Sequence, residues 1–531
     1  MSEAPLFESA EHQKNTAGLA KSIDERFSQE LIVALVGPVG SGVSSAAGFI
    51  RDILEQTFKY KVCPTIRPSD IIKAEAHRVG ITISTTLPLD RYVSVMQDAG
   101  NRLRERFGAD YLAEKAVERI YKFRRENGGI AKNGVLLRGR RAYIIDSLKN
   151  TEELNLLRHI YGDTLCVIGV FAPDLMRRER LINGGASKDA VDNIMDRDKG
   201  EILTFGQKTR KLFVDSDFFA CNDRKQTFLL NNLTRFFEII FNTKIHTPTR
   251  SESAMYEAVA ASANSACMSR QVGAAIISSD GELISVGWND VPKFGGGLYA
   301  EDDQFHVDHE GKEQDRDHRC FKWGKCVCSN ETRRNDILQG IVDRINTSKM
   351  LKKRISQQEI RSLLAGTEID SLIEFSRSIH AEMEAILSVA REGRHSLVGA
   401  TLYTNTYPCH NCARHIVAAG IKNVYYIQPY DKSLATTLHY DSITESPNDD
   451  SRVEFRQFEG VAPSRYLRLF KPDTDRKKPG GAKVVISPDT ASPLLRVPLD
   501  SLKEYETKTI AELSSKESES ELRRGGRAND D

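Results

Sequence analysis

The sequence predicts an α/β protein of two units, each a β-sheet covered by helices, and three observations predict it. A run of six apolar residues, Leu31-Ile32-Val33-Ala34-Leu35-Val36, leads into a glycine-rich turn. Further apolar runs at Ala142 to Ile145 and Leu165 to Phe171 alternate with helical patterns such as Tyr92 to Lys122. A second alternation of strand-like and helical patterns follows between Met255 and Ile427. Strands buried on both faces read as continuous apolar runs, and their alternation with helices marks crossover connections in a largely parallel sheet. At 531 residues the chain is too long for one ordinary core.

Composition narrows the class. With 40% hydrophobic and 28% charged residues the chain has the balance of a globular protein. Lys and Arg number 75 against 74 Asp and Glu, so the molecule has no overall basic field to drive sequence-independent binding to a polyanion. Nine cysteines form a sparse, odd set that fits a reducing cytoplasm better than a disulfide scaffold. Met1 to Ala20 carries no apolar core of a leader, and Leu31 to Val36 is far too short to cross a bilayer, so no membrane segment is expected.

Taken in order, residues 1–28 read as a polar arm and 29–247 as a nucleotide-binding α/β domain that ends near Thr247-Pro248-Thr249. A second α/β domain spans 250–470. It opens with a small-residue helix from Met255 and two strands, Val272 to Ile277 and Leu283 to Val286. A polar stretch at about 290–376, rich in Asp, His and Lys, reads as an insertion. A helix from His380 to Arg391, a strand at Leu402 to Thr404, a helix from Cys409 to Ala419 and a strand at Val424 to Ile427 complete the pattern. Residues 471–531, with Lys516-Glu517-Ser518-Glu519-Ser520-Glu521 near their end, read as a polar, solvated tail.

The densest chemical signal is His380-Ala381-Glu382 followed by Pro408-Cys409-His410-Asn411-Cys412. Zinc takes imidazole and thiolate ligands, and a catalytic zinc keeps three protein ligands with the fourth position open. His380, Cys409 and Cys412 supply three. Two cysteines three apart at a helix start can face one point, and the helix N-terminus favours their negative charge. Glu382 is left as an acid–base group able to carry a water's proton to a ring nitrogen and then to departing ammonia. His410 and His415 are nearby but exceed the ligand set.

The motif resembles that of the zinc nucleobase deaminases, and the segment from Met255 to Gln428 resembles the deoxycytidylate deaminases through Cys267-Met268-Ser269-Arg270-Gln271-Val272-Gly273-Ala274 and Gly287-Trp288-Asn289-Asp290. The resemblance implies a cytidine-deaminase-like α/β/α domain, with Asn289 holding the sugar of the nucleotide and Arg270 a candidate for its phosphate. Cys412 to Ile421, Ala142 to Lys149 and Phe458 to Pro463 also resemble the anti-phage dCTP deaminases, which join a P-loop kinase-like domain to this deaminase. That resemblance implies conversion of dCTP or dCMP to the uracil nucleotide and starvation of phage replication. It further implies allosteric restraint by dTTP and, as in some members, inhibition by a small RNA encoded nearby, while the resemblance to the deoxycytidylate deaminases implies a homo-oligomer, a hexamer by analogy.

Gly37-Pro38-Val39-Gly40-Ser41-Gly42-Val43-Ser44 follows a buried strand and opens a helix, the setting in which backbone amides cradle phosphates. This predicts a P-loop NTPase or nucleotide-kinase-like parallel sheet, with Gly37, Gly40, Ser41, Gly42, Val43 and Ser44 around a nucleoside triphosphate and Ser44 and Asp146 near its Mg2+. Val43 stands where the Walker lysine is expected, which favours binding over phosphoryl transfer. Arg177, Arg178 and Arg180 resemble the lid arginines of nucleotide kinases. In the insertion His318, Cys320, Cys326 and Cys328 form a C-x5-C-x-C cluster that is a candidate for a second metal, with His306 and His309 just upstream. Two other functions remain open at this level: a polynucleotide deaminase, and a P-loop binding protein whose deaminase fold is a scaffold.

Overall fold

A computed structural model of the chain describes residues 23–527 apart from 85, 200–208, 224, 304, 308, 316, 349–355, 366, 368–371, 373, 431, 448 and 472–473. The chain divides into two compact units: the first is 1–247 with 459–531, and the second is 248–458. The expected arm therefore lies largely outside the described residues. Its last residues are held, with Ser28 buried and donating its backbone N–H to the Val497 carbonyl.

Along the chain, β1 (Leu31–Val36), β2 (Lys61–Val62), β3 (Arg141–Ile145), β4 (Leu165–Phe171) and β5 (Phe218–Cys221) belong to the first unit. Next come β6 (Gly273–Ile277), β7 (Leu283–Trp288), the hairpin β8 (Phe305–Val307) and β9 (Glu313–Asp315), β10 (Thr401–Thr406), β11 (Asn423–Gln428), β12 (Ile443–Thr444) and β13 (Val453–Gln457). Finally β14 (Gly460–Val461) returns to the first unit.

In the first unit the sheet order is β14-β5-β4-β1-β3-β2, parallel throughout except for the antiparallel edge β14. All six residues of β1 are buried, as its unbroken apolar run requires. With β3 on one side and β4 on the other, the carboxyl end of β1 lies where successive connections diverge, and open α/β sheets bind ligands at such a point. The helix α1 (Val43–Asp52) begins there. The expected helix from Tyr92 to Lys122 is two, Leu89–Phe107 and α2 (Tyr111–Glu126), because Gly108 sits at φ 120, outside helical space. Farther on, α3 (Asp174–Asn183) and α4 (Lys188–Lys199) flank the glycine-rich loop.

The second unit is built on the sheet β12-β13-β11-β10-β6-β7, in which β6 is antiparallel to both β7 and β10 and the other pairs are parallel. Side-chain alternation sorts its faces. Ala274, Ile276, Leu402 and Val424 pack with α6 (Ala381–Glu392) and α7 (His410–Ala418), whereas Tyr403, one residue along, meets Ser251 of α5 (Arg250–Ser262) at 3.0 Å. This is a sheet between two helical layers. The insertion at 290–376 is not featureless: it contains the β8–β9 hairpin and helices at Ser329–Thr347 and Gln357–Leu364.

Two expectations are corrected at the C-terminal end. Residues 459–470 fold with the first unit, because β14 pairs with β5 and Arg465 is buried on Asp217 at 2.8 Å. The tail is no tail: α8 (Leu499–Arg527) packs against α2. Its buried positions are Leu499, Leu502, Glu506, Thr509 and Leu513, a stripe of helical period in which a glutamate and a threonine replace two apolar residues. That substitution hides the stripe from a hydropathy reading. The charged run beyond it is also partnered, with the Tyr111 hydroxyl donating to Glu517 at 2.8 Å and Arg78 to Glu521 at 2.9 Å.

Candidate functional site

The residues of the two short motifs converge in the second unit. His380 is the N-cap of α6 and Glu382 lies in its first turn; Cys409 is the N-cap of α7 and Cys412 lies in its first turn. The ligand atoms of His380, Cys409 and Cys412 all lie within 4.8 Å of one another. His380 Nδ1 is 3.3 Å from each sulfur, close to the edge of about 3.5 Å that Zn–S and Zn–N bonds give a tetrahedron. Gly287 of β7 lets α6 come this near the sheet, since a Cβ there would stand 2.4 Å from the Ala381 carbonyl oxygen and 2.5 Å from the Ala385 nitrogen.

The electrostatics suit a cation. A hydrogen bond from Cys412 and the imidazole beside it bring the Cys409 thiol down to about 4, and Cys409 in turn raises His380 to about 9. Burial raises the Glu382 carboxyl above its usual range, and the charge on Cys409 adds to this. Glu382 Oε2 lies 3.5 Å from Cys412 Sγ, beside the cluster. Two thiols, one of them acidic, with an imidazole and, among the described residues, no fourth protein ligand match a catalytic rather than a structural zinc site. His415 Nδ1 lies 2.6 Å from the Asn411 carbonyl oxygen, and His410 is not part of the cluster.

The cluster floors a cavity of about 310 Å³ bounded by the 266–272 loop, the end of β7, Tyr407 and Tyr430. Asn289 and Arg270 both line it. Asn289 also organises the wall: Oδ1 accepts from the Val272 backbone N–H at 2.7 Å and from Ser265 at 3.0 Å, while Nδ2 donates to the Arg270 carbonyl at 2.8 Å. The Arg270 guanidinium lies 5.6 Å from the centre of the Tyr430 ring. Sequence reading missed Tyr430, Arg377, Asn330 and Ser329, which also line the cavity, so the insertion contributes to the site instead of standing apart from it. Only the closeness of Arg377 to His380 in the chain could have pointed to one of them.

The second metal cluster does not form. Among the described residues His380, Cys409 and Cys412 are the only His, Cys, Asp or Glu group that converges as ligands do. The His318 ring lies 3.7 Å from that of Trp323, Cys326 is exposed, and Cys328 caps the helix at Ser329–Thr347 with its sulfur 3.7 Å from Ser269 Oγ. The turn through 320–328 thus sends the side chains to different neighbours. The side chain of His306 lies outside the described residues.

In the first unit the loop Gly37 to Ser44 joins β1 to α1, with Gly40 at φ 79 and Gly42 at φ 90, a backbone that residues with a Cβ rarely adopt. Ser44 Oγ donates to Asp146 Oδ2 at 2.8 Å. Val43 is buried in the core under the sheet. Arg177 and Arg180 donate to loop carbonyls, to Val39 at 2.9 Å and to Gly40 at 3.1 Å, whereas Arg178 pairs with Asp192 on the surface.

Paired helix N-termini presenting His-x-Glu and Cys-x-x-Cys on one face of a mixed sheet define the nucleobase deaminases as a class. Residues 248–428 match the family described as the cytidine and deoxycytidylate deaminase zinc-binding region. The deoxycytidylate deaminase of enterobacteria phage T4 is 34% identical over 172 residues, which are 32% of this chain and 74% of the phage protein. The chain belongs to the deoxycytidylate deaminase family. A UPF0200/UPF0201 protein of Archaeoglobus fulgidus is 24% identical over 237 residues, 43% of this chain and 63% of that protein. The crystal structure of a cyanophage S-TIM5 dCMP deaminase with dCMP and dUMP aligns over 40% of this chain and 99% of its own, at 19% identity and a TM-score of 0.22. Among the described residues no helix is long and apolar enough to cross a membrane.

Proposed function

We propose that the second unit hydrolyses the exocyclic amine of deoxycytidine nucleotides, dCMP or dCTP, to give the uracil nucleotide and ammonia. The observation that carries this reading is the buried Glu382 carboxyl beside the His380, Cys409 and Cys412 cluster on the floor of the cavity. Those three residues would hold zinc, which when bound supplies a Lewis acid that makes water a nucleophile near neutral pH. Glu382 takes the proton of the attacking water and delivers it to the ring nitrogen, then carries the proton of the new C4 hydroxyl to the amine, which leaves as ammonia as the C–N bond breaks and the carbonyl forms. Arg270 at the cavity wall meets the phosphate, and Asn289 fixes the loop that carries Arg270. A near-neutral chain and a bounded cavity support a free nucleotide over a polynucleotide.

The first unit, in this proposal, binds a nucleoside triphosphate with Mg2+ at Gly37 to Ser44 and Asp146 and sets the activity of the deaminase, which depletes dCTP during phage infection. Restraint by dTTP, silencing by a small RNA and assembly as a hexamer belong to the same reading. The experiment is product analysis with dCMP, dCTP, CTP, cytidine and a single-stranded oligonucleotide, using zinc-loaded protein and Glu382→Gln. Conversion of dCMP or dCTP, lost by at least about a hundredfold in the variant and abolished by chelation, is expected. Reaction of the oligonucleotide alone would overturn the substrate class.

A further inference from the structure

The phosphate loop of the first unit lacks its usual cation, yet a different lysine lies against it. Val43, at the Walker position, points into the core with Leu35 and Ala46 and offers nothing to a phosphate. Lys149 follows β3 by four residues, and the turn that carries it is fixed by the Leu148 backbone N–H donating to the Leu35 carbonyl at 3.0 Å. Its ammonium donates to the Gly37 carbonyl at 3.0 Å and to Asp198 Oδ1 at 2.7 Å. The other oxygen of Asp198 accepts the backbone N–H of Val39, inside the loop, at 2.6 Å. The Asp198 carboxylate thus holds two partners that a phosphate oxygen takes in such a loop, one backbone amide and one ammonium.

Two further groups at the loop are orphaned. Among the described residues Ser41 Oγ and Arg177 Nη2 have no hydrogen-bond partner, although Ser41 is fully buried and Arg177 is 4% exposed. Ser41 Oγ turns back toward Gly37, within 2.7 Å of where a Cβ would stand, and the Arg177 guanidinium lies along the loop through its bond to Val39. Buried donors of this kind are costly unless a ligand completes them.

We infer that Lys149 replaces the Walker lysine, engaging the terminal phosphates of a nucleoside triphosphate in this loop, and that Asp198 is an internal anion the nucleotide must displace. The inference rests on the loop being a nucleotide site and adds which cation completes it and what competes for it. Arg177 and Ser41 gain their missing partners from the same phosphates. Because the lysine comes from the end of β3 and not from α1, the loop can bind a triphosphate while Val43 stays in the core.

The test is calorimetric titration of the full chain with Mg-ATP, Mg-GTP and Mg-dTTP, using AMP, GMP and dTMP as short-chain controls. Lys149→Gln is expected to weaken triphosphate binding by at least about tenfold while changing monophosphate binding little, since a lost charge-assisted hydrogen bond has that size. Lys149→Arg keeps the cation and should retain most of the affinity. Asp198→Asn removes the internal competitor and should tighten triphosphate binding several-fold. Wild-type binding with Lys149→Gln unchanged overturns the inference and leaves the nucleotide site standing, as does an Asp198→Asn variant that binds more weakly. No binding by either the wild type or Asp198→Asn removes the nucleotide site itself and the inference with it.

Discussion

Replacing Arg124 by methionine tests whether α8 is an integral part of the first unit. The Arg124 side chain is fully buried, as are those of Glu30 and Glu506. It donates to Glu30 at 2.7 Å and 3.0 Å and to both oxygens of Glu506 on α8, while Arg141 reaches Glu30 at 2.6 Å. The cluster holds two cations and two anions. Burial alone would raise both carboxyls; two guanidiniums outweigh it at Glu30, which lies below its usual range, whereas Glu506 has a single guanidinium, that of Arg124, and lies above. Arg124→Met leaves two buried carboxylates against one cation, and removing one partner of a buried pair costs about 3–5 kcal/mol.

The double variant Arg124→Met/Glu506→Met leaves only the balanced Glu30–Arg141 pair and should recover about half of that loss or more, because a buried ion pair exchanged for apolar groups of similar size is often neutral. The chain supplies its own control. Both tryptophans, Trp288 and Trp323, lie in the second unit, so fluorescence follows that unit while far-UV circular dichroism follows both. Urea titration should show the dichroism transition moving to lower denaturant with the tryptophan transition in place, and amide exchange in 499–513 should accelerate. A loss below about 1 kcal/mol, or a double variant less stable than the single one, would refute the reasoning.

Two further outcomes follow from particular contacts. Gly287→Val puts a side chain into the backbone of α6, so it should displace His380 and Glu382 and abolish both zinc retention and deamination, checked by metal analysis of the purified protein alongside activity. Arg468 and Arg465 hold the Asp163 carboxyl below its usual range. A depressed carboxyl stabilises the fold above its unfolded value of about 3.9 and loses that contribution as pH falls through its lower folded value. The stability advantage of the wild type over Asp163→Asn should therefore hold at pH 6 and shrink below about pH 4, and a difference unchanged down to pH 3 would count against the ion pair.

What the sequence disclosed follows how locally each feature is encoded. β4 runs from Leu165 to Phe171, the bounds its apolar run predicts, and β1 is likewise the run it appeared to be. The candidate zinc ligands and Glu382 were legible because each half of the site sits within four residues at a helix start, where the backbone fixes direction. The cavity wall was not, since Tyr430 and Arg377 come from separate loops and Asn330 from the start of the helix at Ser329–Thr347, and they share no spacing. The C-x5-C-x-C cluster misled because nearness in the chain does not aim side chains at one point once a turn intervenes. α8 stayed hidden for a different reason: Glu506 is satisfied by Arg124, a partner 382 residues away.

The return of the chain from β13 to β14 bears on how the protein is made. The first unit is written in two pieces, and everything from Pro248 to Phe458 is translated between them. When Thr247 leaves the ribosome, β5 has no edge partner and the Glu30, Arg124 and Arg141 cluster lacks its second carboxylate. The later unit therefore has its whole sequence available before the earlier one can close, so a nascent chain passes through a stage in which the second unit can be complete and the first cannot.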